Sequence, residues 1–210
     1  MKKISLAIIA ISTLFIQHSH AQHIDIDKKA LAFLSSEEKI NIEFTYNNLF
    51  FNADNIPEDQ YLKEIEAKNK EKYGDEGVED WMDKYNTSKA EKWPEYFTNT
   101  LNAKMQEYEN GPEFIMNDQN LKYTLKINTD WIYFGYNVVA AKWPSKVNMS
   151  LAFYETSNPE QIIFETNIRR AMGKNNEAFK LDGWAKFERV GKAYVKGAYK
   201  LAQAFKRIVD

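Results

Sequence analysis

Between Leu121 and Ile168 the 210-residue chain alternates apolar and polar side chains in three successive runs, a pattern that commits this half to a sheet with one buried face. Leu121, Tyr123, Leu125 and Ile127 alternate with Lys122, Thr124, Lys126 and Asn128, and the apolar run continues through Trp131 and Phe134. A loop holding Gly135, Trp143 and Pro144 leads to Val147, Met149, Leu151 and Phe153 at the same period. Thr156-Ser-Asn-Pro159 then turns the chain into Ile162, Phe164, Thr166 and Ile168, so the last two strands are expected to pair as an antiparallel hairpin. A further strand is predicted from Lys39 to Tyr46, where Ile40, Ile42, Phe44 and Tyr46 alternate with polar residues. Asn47, Asn48 and Asn52-Ala-Asp-Asn55 follow it with turn chemistry.

Helical spacing replaces the period of two between this strand and the other three. Asn55-Ile-Pro57-Glu58 reads as a helix start with Asn55 as cap, Tyr61, Leu62, Ile65 and Tyr73 form its stripe, and Gly74 reads as a stop. Val78, Trp81, Met82 and Tyr85 continue at helical spacing. Ser88-Lys-Ala-Glu91 has the pattern of a capping box for a longer helix carrying Trp93, Phe97, Leu101, Met105 and Tyr108, which Gly111-Pro112 ends. Pro94 conflicts with a straight helix from Ser88, because it lacks an amide proton and crowds the preceding turn; the helix either kinks there or starts near Trp93. From Asp182 the chain runs as one amphipathic helix burying Trp184, Phe187, Tyr194, Ala198, Leu201, Phe205 and Ile208. Gly191 and Gly197 within it imply a closely approaching neighbour. The expected architecture is α+β, an α/β-like sandwich: a mixed, mostly antiparallel sheet of four to five strands, helices packed largely on one face, and a long C-terminal helix.

Lys2 and Lys3, an apolar run of thirteen residues from Ile4 to Ile16, and the small residues Ser19 and Ala21 have the order of a secretory signal cleaved after Ala21. A spanning helix needs roughly 20 apolar residues. The expectation is a signal over residues 1–21 and a single domain over 22–210, periplasmic or secreted, with no stable membrane anchor after cleavage. Removing Lys2 and Lys3 leaves 26 basic against 30 acidic residues, a formal charge of −4. An acidic chain lacks the basic footprint of a nucleic-acid binder. With no cysteine there are no disulfides, thiolate sites or thiol nucleophile, and of the three histidines only His23 follows the signal. Histidine relays and His-rich zinc sites would all rest on that residue, so no cofactor, no metal and no catalytic set is expected.

Two groups of side chains stand out as a ligand or partner surface. Trp131, Tyr133 and Tyr136, with Trp143 shortly after, form the densest aromatic cluster. In a strand both faces of this segment are apolar, which fits either a central strand covered by helices on both sides or a strand that shows aromatic rings to a sugar. Lys192, Lys196 and Lys200 repeat every four residues along the last helix, either as its solvated face or as a stripe for an acidic partner or membrane surface. Arg169-Arg170 with Lys174 is a second, smaller basic site. Asp130 and Glu155 are the acids best placed, in or beside strands, for a carboxylate pair.

The strand Ile40-Asn-Ile-Glu-Phe44, the helix entry Lys92-Trp-Pro-Glu-Tyr-Phe97, and Phe134-Gly-Tyr-Asn-Val138 followed by strand, turn, strand and final helix resemble uncharacterised exported proteins of the Bacteroidetes type. More distantly, this order of elements is similar to the TolB amino-terminal and curli-secretion type of envelope domain. The resemblance implies a mixed sheet with helices largely on one face, and it carries no functional residue across. It departs from the lipid-anchored members in having no cysteine. The functional expectation is a non-enzymatic envelope protein that binds another envelope protein or a cell-surface component. The alternative is a protein that binds or cleaves glycans.

Overall fold

The computed structural model describes residues 24–138, 141–173 and 184–210. The expected signal, His23, Lys174 and the cap Asp182 lie outside the described residues. Strand β1 (Lys39–Thr45) is followed by two short strands, β2 (Phe50–Phe51) and β3 (Ile56–Pro57), which turn on Asn52 and Asn55 in left-handed backbone. Asparagine tolerates that conformation better than most residues. The helices α1 (Glu58–Thr87) and α2 (Trp93–Met105) come next, then β4 (Glu113–Met116), β5 (Tyr123–Tyr133), the small hairpin β6 (Tyr136–Val138) and β7 (Ala141–Trp143), β8 (Ser145–Glu155), β9 (Ile162–Gly173) and α3 (Ala185–Val209).

The sheet is mixed, as expected. β5 is central: β8 runs antiparallel along one of its edges from Tyr123↔Glu155 to Tyr133↔Lys146, and β9 pairs antiparallel with β8. The other edge takes β1 and β2 end to end, both parallel to β5, and β4 lies parallel outside β1. The predicted hairpin and its two long antiparallel ladders are present. β4 and the β2–β3 turn were not legible as strands, because two to four residues are too few to show a period.

The period of two places Ile40, Ile42, Leu125, Ile127, Val147, Met149, Leu151 and Phe153 on one face, all buried. Helices α2 and α3 cover that face: Phe44 meets Phe97 edge-on, and Phe153 and Phe114 both meet Phe205. The opposite face carries Glu43, Lys126, Asn128 and Asn148. At its upper end, Asn41 Nδ2 donates to Thr124 Oγ1 at 2.9 Å, the Asp118 amide donates to Asn41 Oδ1 at 2.8 Å, and Tyr154 donates to Glu43 at 3.0 Å. These bonds satisfy the buried Asn41 and Thr124.

Ser88 does not start a helix. Residues 88–92 form a π turn that joins α1 to α2, with the Trp93 amide bonded to the Ser88 carbonyl five residues back. The capping-box pattern there is accidental, and the buried Ser88 hydroxyl lacks a hydrogen-bond partner among the described residues. The wide turn also accommodates Pro94, which can give no amide proton to the residue 90 carbonyl. Gly74, with φ 72° and ψ −168°, breaks the helical path of α1 where a stop was predicted. Asn55 does not cap α1 by its side chain; the helix starts at Glu58 after Pro57, and Glu58 instead takes hydrogen bonds from Tyr85 and Lys89.

The glycines of α3 mark close approaches, as inferred. A Cβ on Gly191 would lie 2.4 Å from the ring of Tyr96, and one on Gly197 would lie 2.5 Å from Met149 Cε. Gly173 at the end of β9 is tighter still, since a Cβ would lie 2.3 Å from the Arg189 carbonyl oxygen and 2.9 Å from the Ala193 amide nitrogen. Backbone cannot move aside as an exposed ring can. Gly173→Ala is therefore expected to cost about 1–3 kcal/mol, whereas Gly191→Ala, by swinging Tyr96 outward, should stay within about 1 kcal/mol of wild type; urea unfolding midpoints of the two variants check the contrast.

Candidate functional site

The face of the sheet opposite α2 and α3 ends in a groove of about 370 Å³ lined by Ala53, Asn55, Trp131, Tyr133, Trp143, Lys146, Asn148 and Arg170. Two coincident irregularities build it. The β5–β8 ladder shifts register between Thr129 and Trp131, and the β8–β9 ladder shifts at the same level, between Val147 and Met149. Thr129 stays on the helix side, where its hydroxyl shares a 2.6 Å hydrogen bond with Tyr194. Trp131, opposite Asn148, and Tyr133, opposite Lys146, then fall on the uncovered face. Bulges of this kind re-aim side chains at sheet margins.

Each wall of the groove is fixed by a nearby element. The Trp131 and Tyr133 rings are 6.1 Å apart and within 9° of parallel, and Trp131 Nε1 donates to the Asn52 carbonyl at 2.9 Å, so the β2–β3 turn holds the indole in place. Gly135 sits at φ 66°, and a Cβ there would lie 2.3 Å from the Trp143 carbonyl oxygen; this contact closes the base of the β6–β7 hairpin. The hairpin carries Tyr136 and Trp143, whose rings are 6.2 Å apart and 41% and 50% exposed. Lys146 Nζ lies 5.8 Å from the Tyr133 ring and 5.7 Å from the Trp143 ring, bridging the two by cation–π attraction. Arg170 occupies left-handed backbone at φ 47°, and its amide donates to Asn148 Oδ1 at 2.7 Å.

Trp131, Tyr133 and Trp143, all singled out from the sequence, thus meet in one groove, with Tyr136 backing Trp143. Among the described residues, helices cover β5 on one side only. Lys146 and Asn148 were missed: they belong to the polar phase of β8, and only the register with β5 brings them beside the aromatics. Lys192, Lys196 and Lys200 lie on α3, which packs on the opposite face, so they are not part of this groove. Lys196 is exposed with its ammonium 5.3 Å from the Tyr199 ring. Lys200 lines a separate crevice of about 360 Å³ with Ile24, Asp25 and residues 166–169, and burial followed by the charge of Lys196 lowers its pKa.

Asp130 and Glu155 are not a pair. Glu155 faces Tyr123 at one end of β5 while Asp130 lies seven residues along it, roughly 23 Å away at strand spacing. Asp130 is half-buried, and burial raises its carboxyl above the usual range while Arg169 pulls it down. A larger crevice of about 510 Å³ opens at the carboxyl ends of β1 and β4 against the π turn, lined by residues including Phe44, Tyr46, Lys89, Glu91, Glu95 and Met116. Its cation is already engaged, since Lys89 Nζ donates to Glu58 and its carbonyl accepts from Tyr46 at 2.7 Å. Among the described residues no three His, Cys, Asp or Glu side chains cluster as metal ligands, and no helix is long and apolar enough to cross a membrane.

No family model matches the chain. No curated protein matches it either. Among solved structures it is similar to a dodecamer of a PelC point variant from Paraburkholderia phytofirmans, at 10% identity over 82% of this chain and 88% of that one, with a TM-score of 0.35. Similarity at that level carries no argument about fold or function.

Proposed function

We propose that this protein is an exported, non-enzymatic binding protein of the cell envelope that holds a saccharide chain of the cell surface in the Trp131–Trp143 groove. The observation that carries the reading is the pair of near-parallel rings, Trp131 and Tyr133, half-exposed beside the exposed Trp143 on a sheet face that no helix of the described residues covers. The hydrogen-bearing face of a sugar ring stacks on such flat apolar surfaces, and flanking polar groups such as Asn55 and Asn148 orient it. Cleavage would need two carboxyl groups roughly 5–10 Å apart across the scissile bond, and among the described residues neither Asp nor Glu lines the groove. Export is supported by the charged start, apolar run and small residues that end at Ala21, and an envelope role by the resemblance to TolB amino-terminal domains.

Titration calorimetry of residues 22–210 against a panel of oligosaccharides tests this. At least one should bind, and Trp131→Ala should weaken it by about tenfold or more, the value of one aromatic contact of roughly 1.5 kcal/mol. Binding that is absent across the panel, or unchanged in Trp131→Ala, would reject the groove. A protein partner is the second reading, favoured by β9, which pairs only with β8 among the described residues and exposes Ile162 and Met172. Crosslinking in native envelopes, with the captured partner mapped to β9, distinguishes it.

A further inference from the structure

The charge of the groove narrows its ligand. Among the described residues Lys146 and Arg170 line it and no carboxylate does, although the chain as a whole is acidic at a formal −2. Neither cation is in an ion pair with a carboxylate among the described residues, and the Lys146 ammonium lies over the faces of two rings. Along β8, Lys146 lies two residues from Asn148, on the same face, a separation of roughly 7 Å. Asn148 in turn holds the Arg170 amide on the neighbouring strand. Both cations therefore neighbour Asn148, one along its own strand and one across from it, in the groove that also holds the rings on which a sugar would stack. Arg170 also stands in left-handed backbone, unusual for a residue with a long side chain, and the bulge that imposes this conformation places it at the groove.

We propose that the ligand is an acidic saccharide, with a carboxylate or sulfate substituent held between Lys146 and Arg170 while the sugar ring stacks on Trp131 and Tyr133. The inference rests on the saccharide reading above and adds the sign of the ligand's charge. An arginine presents paired donors that fit either oxyanion, and the lysine adds a point charge. A neutral saccharide would leave both cations without a counter-charge.

The test uses residues 22–210 and two pairs of oligomers: uronate oligomers against their methyl esters, and sulfated oligomers against their desulfated forms. At least one charged member should bind about tenfold or more tighter than its neutral partner, the effect of one charge-assisted hydrogen bond, and that margin should shrink as salt is raised. Lys146→Gln and Arg170→Gln should each remove most of the margin between the charged and the neutral member of a pair. Arg170→Gly, which relieves the left-handed backbone as it removes the charge, should match Arg170→Gln and so separate charge from backbone. Equal binding of charged and neutral members in both pairs, with the lysine and arginine variants unaltered, would overturn the inference and leave saccharide binding standing. No binding by either member of either pair, alongside no binding across the wider panel, would overturn both.

Discussion

Above pH 10 the folded protein should lose its stability within about two pH units. The hydroxyls of Tyr46, Tyr61, Tyr85 and Tyr194 are held above the ordinary phenol range, in each case first by burial, and the Glu58 carboxylate beside Tyr85 pushes that one further up. Tyr154, buried and bonded to Glu43, is raised to about 12. In the unfolded chain these phenols ionise near pH 10, so above that pH the folded state binds more protons and stability falls as pH rises. Each tyrosine that ionises only on unfolding contributes about 1.4 kcal/mol per pH unit, so the first four together give roughly 5 kcal/mol per unit against a total of about 5–15. Lys186 acts the other way: burial, then Lys84, depresses its pKa to about 8, so between about 8 and its unfolded value of 10.5 it adds stability as pH rises. The rings of Trp81 and Phe187, 4.7 and 5.1 Å from its ammonium, favour the charged form and blunt that gain. One lysine does not offset four phenols. Circular dichroism and tyrosinate absorbance should therefore change together; ionisation of all 12 tyrosines with the ellipticity intact would contradict this account.

Trp93→Ala should be the most damaging single truncation among the aromatic residues. Trp93 is fully buried where α2 meets α3, stacked on Tyr194 at 5.8 Å, edge-on to Tyr85, and its indole nitrogen donates to the Phe187 carbonyl at 3.0 Å. Losing it opens a cavity between the two helices and deletes the hydrogen bond joining them, at a cost of about 4 kcal/mol. In a chain of this size that corresponds to a fall in Tm of roughly 8–16 °C. Trp93→Phe keeps most of the ring and should lose less than half as much. A thermal melt of both variants checks the ranking, and equal losses would assign the whole effect to the indole hydrogen bond.

The long strands and α3 were legible because each repeats a period over seven residues or more, and in β5, β8 and α3 one face of that period is buried. Pairing was less so. That β1 lies parallel to β5 depends on the path of the intervening helices, which no local pattern encodes. The π turn was hidden for a related reason: Ser88 and Glu91 have the spacing of a cap, and only packing shows that Ser88 is interior. At the groove the aromatic residues announced themselves by density, whereas Lys146, Asn148 and Arg170 are three polar residues of two strands. What makes them neighbours of Trp131 is a pair of matched register shifts, and a shift of one residue leaves no trace in composition.

The wide turn at Ser88–Lys92 also leaves a mark on the chain's helical phase. Tyr85 and Trp93 touch on the buried side although they are eight residues apart, and eight residues of regular α-helix would rotate through 800°, some 80° beyond two full turns. The π turn absorbs that excess. Seven residues would rotate through about 700°, close enough to two turns to keep both rings on one side. A chain lacking Ala90 would still aim α2 at the sheet, its only new strain being Pro94 in a regular turn, whereas the loss of Asn99 would swing Leu101 and Met105 by about 100° out of the interior. In this 48-residue helical run the loss of one residue at the π turn thus keeps the buried side of α2 in place at the cost of a proline clash of about 3 kcal/mol, whereas the same loss a few residues later turns that side outward.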